Sequence, residues 1–389
     1  MAYYKLFPEQ DTTLYSHPNR NAMNTGNDEI LEISKERGTT DEILYPTRIL
    51  IKFNNEEIKD AVRDVIGHNN FGNSSTNVNL ELFSAEHENL AKNLISTQNI
   101  VAYAVSESWD EGSGRYTNLP SSSNGATWLY RNNSTMATPW LTSSFSTVST
   151  GSISASTFIT GGGGTWYTAA DFQGTQQFKP GDSLDVDMNI TSIVRKWSES
   201  LFNDSTYSTG IENNGILLKL PESVEINTSH SQGNLQYFST DTHTIYPPSL
   251  TFKWDDSTHT YQDSASLSGD LHVSLYRNQQ EYNQNDTATF RIHVRDRYPT
   301  RQFASSSNFL NTGYFTTSSY YSIRDAHTEK EIVPFDNDFT KLSADESGMY
   351  FKVYMKGLQP ERYYRVLFKN INSDGTIVYD NNYYFKVIR

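Results

Sequence analysis

Trp109-Asp110-Glu111 sets two carboxyl groups beside an indole, the residue types with which a glycoside hydrolase cleaves a sugar bond. That chemistry needs carboxyls facing each other across the substrate, whereas neighbours on one strand or turn point apart. The pair therefore reads as loop acids beside a buried tryptophan. Asp182, Asp185 and Asp187 offer the hard oxygens that calcium takes, but without the spacing of a calcium loop. Asp185 and Asp187 read more simply as the solvent side of one strand. The nine histidines are scattered, and no pair lies three or four apart on a helix. There is no His-Glu-x-x-His run, no Gly-x-Ser-x-Gly elbow and no phosphate loop ending in Gly-Lys-Ser/Thr. Gly161-Gly162-Gly163-Gly164 opens no strand–helix unit and reads as a flexible tip. The expectation is a protein with no catalytic residues, no cofactor and no metal.

Binding chemistry has more to work with. Arg291, His293, Arg295 and Arg297 alternate with Phe290, Ile292 and Val294, and Tyr350, Lys352, Tyr354 and Lys356 repeat the arrangement. Period two sends the basic and tyrosine side chains to one face and the apolar ones into a core. Such a face would dock an acidic partner or an anionic glycan. The plainer alternative is an ordinary solvated sheet face. Between Ser106 and Pro180 the chain is rich in Ser, Thr, Gly and Asn and carries Trp109, Trp128, Trp140 and Trp166. Tryptophans in so long a loop either pin it into a core or form a platform for sugar rings. Pinning is expected for Trp109 and Trp197, while Trp140 and Trp166 are the candidates for glycan stacking.

The elements that must position these residues are mostly strands. At 389 residues the chain is long enough for two or three domains. The 25 tyrosines and 20 phenylalanines supply the buried area that a hydrophobic content of only 36% would otherwise lack. A net charge of −14 argues against DNA and anionic membranes as partners, and the absence of cysteine points to assembly in a reducing cytosol. The first residues lack the apolar run of a signal peptide, and no apolar stretch approaches the roughly 18 residues of a membrane span.

Along the chain, 1–46 reads as an extended polar arm. Alternating strands at 47–53, 78–83, 99–105, 213–219, 237–240 and 248–254 frame a first, jelly-roll-like β-sandwich over 47–258, with 106–180 as a long insertion. Two short helices accompany it: one capped by Asn54 or Asn55 and facing inward through Ile58, Val62, Val65 and Ile66, the other over 190–198 with Ile190, Ile193, Val194 and Trp197 on its inner face. Residues 255–266 form a polar break. Six further strands at 271–276, 289–294, 320–324, 350–355, 363–368 and 383–388, with a turn at Ser373-Asp374-Gly375, predict an immunoglobulin-like sandwich over 265–389.

Several of these segments fall in an order shared with a known family. Arg48, Leu50, Lys52 and Phe53 form an Arg-x-Leu-x-Lys-Phe strand, Trp109 is followed by Glu111, and Asp187 to Trp197 gives an Asp-led helix ending in tryptophan, with an insertion. Asn214-Gly215-Ile216-Leu217-Leu218-Lys219, Tyr237-Phe238-Ser239 and Pro248-x-Leu250 follow. Over about 40–255 the chain resembles the DNRLRE family of β-sandwiches, which is akin to a carbohydrate-binding module. The whole chain is also similar to virion proteins of contractile-tailed marine phages, especially cyanophages. The likeness lies in the Tyr-Tyr-Lys-Leu-Phe-Pro start, Met23-Asn24-Thr25-Gly26 with Asp28-Glu29-Ile30, Ser108-Trp109 leading to Gly112-Ser113-Gly114-Arg115-Tyr116, and Pro120 through Gly125-Ala126-Thr127-Trp128.

The resemblance implies a non-enzymatic structural component of the tail, baseplate or fibre-attachment region, assembled in the host bacterial cytoplasm. Its partners would be other virion proteins in a symmetric oligomer or in multiple copies. Two rival expectations stand beside it. One is a carbohydrate-binding module used in host adsorption through a surface glycan; the other is a polysaccharide depolymerase.

Overall fold

A computed structural model describes residues 2–37, 44–72, 76–85, 97–116, 124–141, 150–151, 162–202, 210–226, 232–260, 270–276, 278–298, 312–373 and 375–389. The fold is mainly β, with nearly all strand pairs antiparallel. Two compact units are present. The larger is Leu6–Asn73 with Asn77–Thr251, and the smaller is Met1–Lys5, Ser74–Thr76 and Phe252–Arg389.

The chain opens with β1 (Ala2–Leu6), β2 (Pro8–Tyr15), β3 (Ile30–Arg37) and β4 (Leu44–Phe53). Next come β5 (Asn77–Leu82), β6 (Gln98–Ala104), the short β7 (Tyr130–Asn132), β8 (Thr138–Pro139), β9 (Thr150–Gly151) and β10 (Trp166–Tyr167). β11 (Gln173–Phe178), β12 (Val186–Asn189), β13 (Ile216–Lys219), β14 (Gln232–Phe238) and β15 (Ser249–Trp254) complete this half.

The main sheet of the larger unit runs β11-β6-β13-β4-β3-β14. Its centre is β4, whose alternation of Ile49, Ile51 and Phe53 with Arg48 and Leu50 is buried on both faces. One side of β4 pairs with β13, while the other is shared between β3 at its start and β2 from Thr47 to Phe53. A second sheet pairs β12 with β5. Helix α1 (Asn55–Asp60) starts on the Asn54 side chain, which accepts from the amides of Glu56 and Glu57. It runs straight into a π-helical turn at Ala61–Ile66, and Ile58, Val62 and Ile66 face inward as their spacing predicts. After α2 (His68–Phe71), α3 (Thr191–Leu201) buries Ile193, Val194 and Trp197. Helix α4 (Glu222–Ile226) follows β13.

Residues 1–46 are not an arm. β1 lies beside β15, β2 pairs with β4 through seven registered positions, and β3 pairs with β14. Asp11, Thr12 and Thr13 look solvated by type, yet they are buried because each has a partner. Thr25 Oγ1 bonds Thr12 Oγ1 and the Thr13 backbone, and the Thr240 amide and hydroxyl both donate to Asp11 Oδ2. The expected polar break is narrower too, because Thr258 and Thr260 exchange backbone bonds with Ala344. Residues 261–266 lie outside the described residues.

The smaller unit contains β16 (Leu271–Tyr276), β17 (Glu281–Asn283), β18 (Thr287–Asp296), β19 (Ser319–Asp325), β20 (Glu331–Val333), β21 (Ser343–Asp345), β22 (Gly348–Tyr354), β23 (Arg362–Asn372) and β24 (Gly375–Ile388). They form two sheets, β16-β18-β22-β21 and β17-β24-β23-β19-β20, with β17 parallel to β24. Read as A to G, these are the A-B-E-D and A′-G-F-C-C′ sheets of an immunoglobulin sandwich. The core is aromatic. Phe290 stacks on its register partner Phe351, and Tyr321 of β19 stacks on the same ring at 4.3 Å. With no disulfide available, these rings supply the inter-sheet contact, each burying roughly 150–250 Å². Tyr364, near the start of β23, sends its hydroxyl back to the Gln359 carbonyl at 2.8 Å. That is the tyrosine corner of the fold, here without its cysteine.

Candidate docking face and the buried charge clusters

Register decides which of the sequence's basic residues share a surface. Across β16, β18 and β22, Tyr276 stands beside Arg291 and Arg291 beside Tyr350, forming one transverse row. Ser274 flanks His293, His272 flanks Arg295, and Lys352 flanks Thr289. The alternate residues Val273, Phe290, Ile292, Val294, Met349 and Phe351 are buried. Arg291, His293, Arg295, Tyr350 and Lys352 therefore lie on one outward face, as period two requires.

Three of the expected residues depart from it. Arg297 lies beyond the end of β18 and pairs with Asp270 at 3.0 Å. Lys356 sits in a 3₁₀ turn after β22. Tyr354 is half-buried against Trp254 and Tyr4, at 5.6 and 6.2 Å between ring centroids. Conversely, β16 adds His272 and Tyr276. Their signal was available, since His272, Ser274 and Tyr276 alternate with Leu271, Val273 and Leu275.

The cations of this face are held in different ways. Arg291 makes a two-pronged bond to Asp345, 2.9 and 2.8 Å, and lies 5.2 Å from the Tyr350 ring. The bond holds the Asp345 carboxyl below its ordinary range and raises the guanidinium further. Arg295 donates to the Asp296 carbonyl. Among the described residues neither Arg295 nor Lys352 has an acidic side chain as ion partner. His293 is pushed below its ordinary value by desolvation, then by the charges of Arg295 and His272.

Trp140 and Trp166 cannot stack on a glycan from the surface, being only 2% and 4% exposed. The Trp140 indole donates to Thr127 O, and the ring of Trp166 lies beneath two cations. Those cations belong to a cluster that the sequence reading missed. Arg48 grips Glu225 through Nε at 3.2 Å and Nη2 at 2.8 Å, and its guanidinium lies 4.5 Å from Trp128 and 5.2 Å from Trp166. Lys219 Nζ is 2.9 Å from Glu225 Oε2, an ion contact whose angles fall outside hydrogen-bond geometry. All three side chains are essentially inaccessible. Desolvation lowers the Lys219 ammonium, and Glu225 pulls it back up.

Arg48 Nη1 also donates to Gly163 O at 2.5 Å. Gly163 has φ +75°, and a Cβ there would meet Arg48 Nη1 at 2.6 Å and Trp128 at 2.7 Å. The glycine run, whose 162–164 part is described, is thus a buried bracket and not a flexible tip. The cluster's work is to fasten the insertion onto β4.

A second buried knot joins segments far apart in the sequence. Asn24 Nδ2 donates to Glu111 O and Ala126 O, and its Oδ1 accepts from the amides of Gly26 and Gly114. All four of its bonding positions are filled. At Gly125, φ +72°, a Cβ would come within 2.4 Å of Gly112 Cα and 2.5 Å of Asn24 Nδ2. Met23-to-Gly26, Gly112-to-Gly114 and Gly125-to-Trp128 therefore meet in one structural joint.

The acids behave likewise. Trp109 donates to Asn214 O, Asp110 bonds Asn132 on the surface, and Glu111 Oε1 accepts from the Asp11 amide at 2.9 Å. Desolvation raises both Asp11 and Glu111 to about 7. Raised carboxyls can mark an acid–base pair. Asp11, however, is 1% exposed and already bonded by the Thr240 amide and hydroxyl, so no substrate reaches it. Asp182, Asp185 and Asp187 serve three separate partners: the Lys179 amide, the Ser84 amide and Asn79. Among the described residues no group of three or more His, Cys, Asp or Glu side chains converges on a metal position.

In comparison with known proteins, the chain matches no family model and no curated sequence.

Proposed function

We propose that the protein is a non-enzymatic structural component of a bacteriophage virion, in the tail, baseplate or fibre-attachment region, acting through protein–protein contact. The observation that carries this reading is the Tyr276–Arg291–Tyr350 row with His293, Arg295 and Lys352 around it. Tyrosine and arginine held in fixed rotamers are the residues that concentrate binding energy at interfaces. Asp345 and the Tyr350 ring hold Arg291, so little side-chain entropy is lost when a partner arrives. On a chain of net charge −14, a cationic face selects an acidic partner surface and steers it into register. The resemblance of its ordered motifs to cyanophage-like virion proteins supports a partner within the particle, assembled in the host bacterial cytoplasm. The two candidate stacking tryptophans are enclosed, so glycan binding has no platform there.

The test has two parts. Mass spectrometry of purified particles from the phage encoding this chain should find it in stoichiometric amount; particles without it overturn the assignment. In complementation, the double change Arg295→Glu and Lys352→Glu should leave a folded protein that no longer joins the particle. Unchanged incorporation removes this face from the reading.

A further inference from the structure

The edge of β24 carries an inference independent of the virion reading. We infer that Gly375–Asp380 is a self-association strand, which pairs antiparallel with the same segment of a second copy of this chain. β24 is 14 residues long, and β23 covers one side of it nearly throughout. On the other side β17 reaches only Lys386–Ile388. Asn381 and Tyr383 are held by side-chain bonds to Val273 O, which close the sandwich at that point. From Gly375 to Asp380, no strand among the described residues takes up the second edge.

Edges of this kind are normally blunted by lysine, proline, a bulge or a covering segment. Here the run is Gly-Thr-Ile-Val-Tyr, with no charge before Asp380 and no proline. Ile377 is 37% exposed and Val378 50%, although they point to opposite faces of the strand. A second copy fits because the run is self-complementary. About a two-fold axis through Val378, Val378 faces its own copy, Ile377 faces Tyr379 and Thr376 faces Asp380, with no like charges opposed. A charged partner strand would gain nothing from this uncharged edge. The basic face on β16, β18 and β22 belongs to the other sheet, so both surfaces can be used by one molecule.

The contact is short, so it is weak in free solution and gains strength where copies are held close together. Sedimentation equilibrium of the full chain near 0.15 M salt, where charge repulsion is screened, should show dimer growing with concentration. Val378→Lys should weaken that dimer about tenfold or more, and Val378→Thr should largely retain it. Hydrogen exchange on the unmodified chain provides a readout that needs no variant. Amides within 375–380 should gain protection at high concentration, and those of β19 should not. A chain that stays monomeric to its solubility limit, a dimer indifferent to Val378→Lys, or protection gained elsewhere overturns the inference.

Discussion

Arg48 on β4 and Arg291 on β18 occupy equivalent places in alternating strands, each bonded in two-pronged fashion to a carboxylate and each lying over an aromatic ring. One is inaccessible and the other is on the surface. The difference lies in what covers the strand. Residues of the insertion, Trp128, Gly163 and Trp166, close over β4, while no equivalent segment among the described residues closes over β18. The same chemistry therefore fastens the fold in one place and is available to a partner in the other. Buried, it carries a penalty: Arg48 and Lys219 share one carboxylate, Glu225, and Lys35 is also buried close by, donating to Val224 O. Taking such charges out of water costs several kcal/mol per ion unless geometry and hydrogen bonds compensate.

The most severe way to break the comparison is Glu225→Gln. It strands two cations beneath two indoles and should cost roughly 3–5 kcal/mol, or prevent folding of the larger unit. Urea unfolding followed by tryptophan fluorescence reads this, because five of the six tryptophans lie in that unit. The triple change Arg48→Met, Lys219→Met and Glu225→Leu should restore stability to within about 1 kcal/mol of the parent, since an apolar replacement removes the desolvation cost altogether. A loss under about 1 kcal/mol for Glu225→Gln would mean that the cluster is hydrated and that the two arginines do not differ after all.

This distinction also marks how far the sequence could be read. Six of the nine strands of the smaller unit were legible from alternating side chains, whereas β17, β20 and β21, three residues each, are too short to show a period. Phe290, Ile292 and Val294 against Arg291, His293 and Arg295 leave no doubt about register. Alternation in β4 was equally legible, but nothing local says that a loop more than 100 residues away will cover Arg48. β2 was misread as an arm for the same reason. Asp11, Thr12 and Thr13 are polar by type, and the residue that bonds Asp11 Oδ2 is 229 residues distant. Hydropathy describes a side chain, whereas burial depends on its partners. Trp140 and Trp166 fall under the same limit: an indole wedge and an indole platform have identical sequences, and only contact separates them.

A smaller effect should follow from pH. Asp11 and Glu111 sit near 7 in the folded chain, against ordinary values of 3.8 and 4.5. The folded state therefore holds more protons than the unfolded one between about pH 4 and 7, and stability falls as pH rises through that window. Asp11→Asn keeps an acceptor for Thr240 and removes the charge. It should flatten the decline and leave the variant more stable than the parent at pH 8 by on the order of 2 kcal/mol. The difference between the two proteins is the quantity to plot, because Asp325 and Asp345, both held below their ordinary values, push the opposite way in acid. In the smaller unit, Tyr364→Phe leaves the Gln359 carbonyl without its hydroxyl partner and should cost about 1–2 kcal/mol by calorimetry. A neutral result would show that water replaces the corner bond.

Smallest in stability and most informative about use are changes on the open face. Among the described residues Arg295 has no acidic side chain to lose, and Lys352 is exposed, so charge reversal at either should move stability by no more than about 0.5 kcal/mol. Arg291→Glu differs, since it places a second carboxylate against Asp345 and should cost more than either. If the face binds an acidic surface, the ranking inverts for association. Arg295→Glu and Lys352→Glu should then slow partner binding strongly at low salt and less as salt rises, because exposed charges act on the encounter step over a Debye length of about 8–10 Å. Titrating the interaction across ionic strength, with calorimetry of the same variants alongside, separates the two meanings of one residue type. A reversal that alters neither stability nor binding marks this sheet as a solvated wall, and the Tyr276–Arg291–Tyr350 row would then be packing alone.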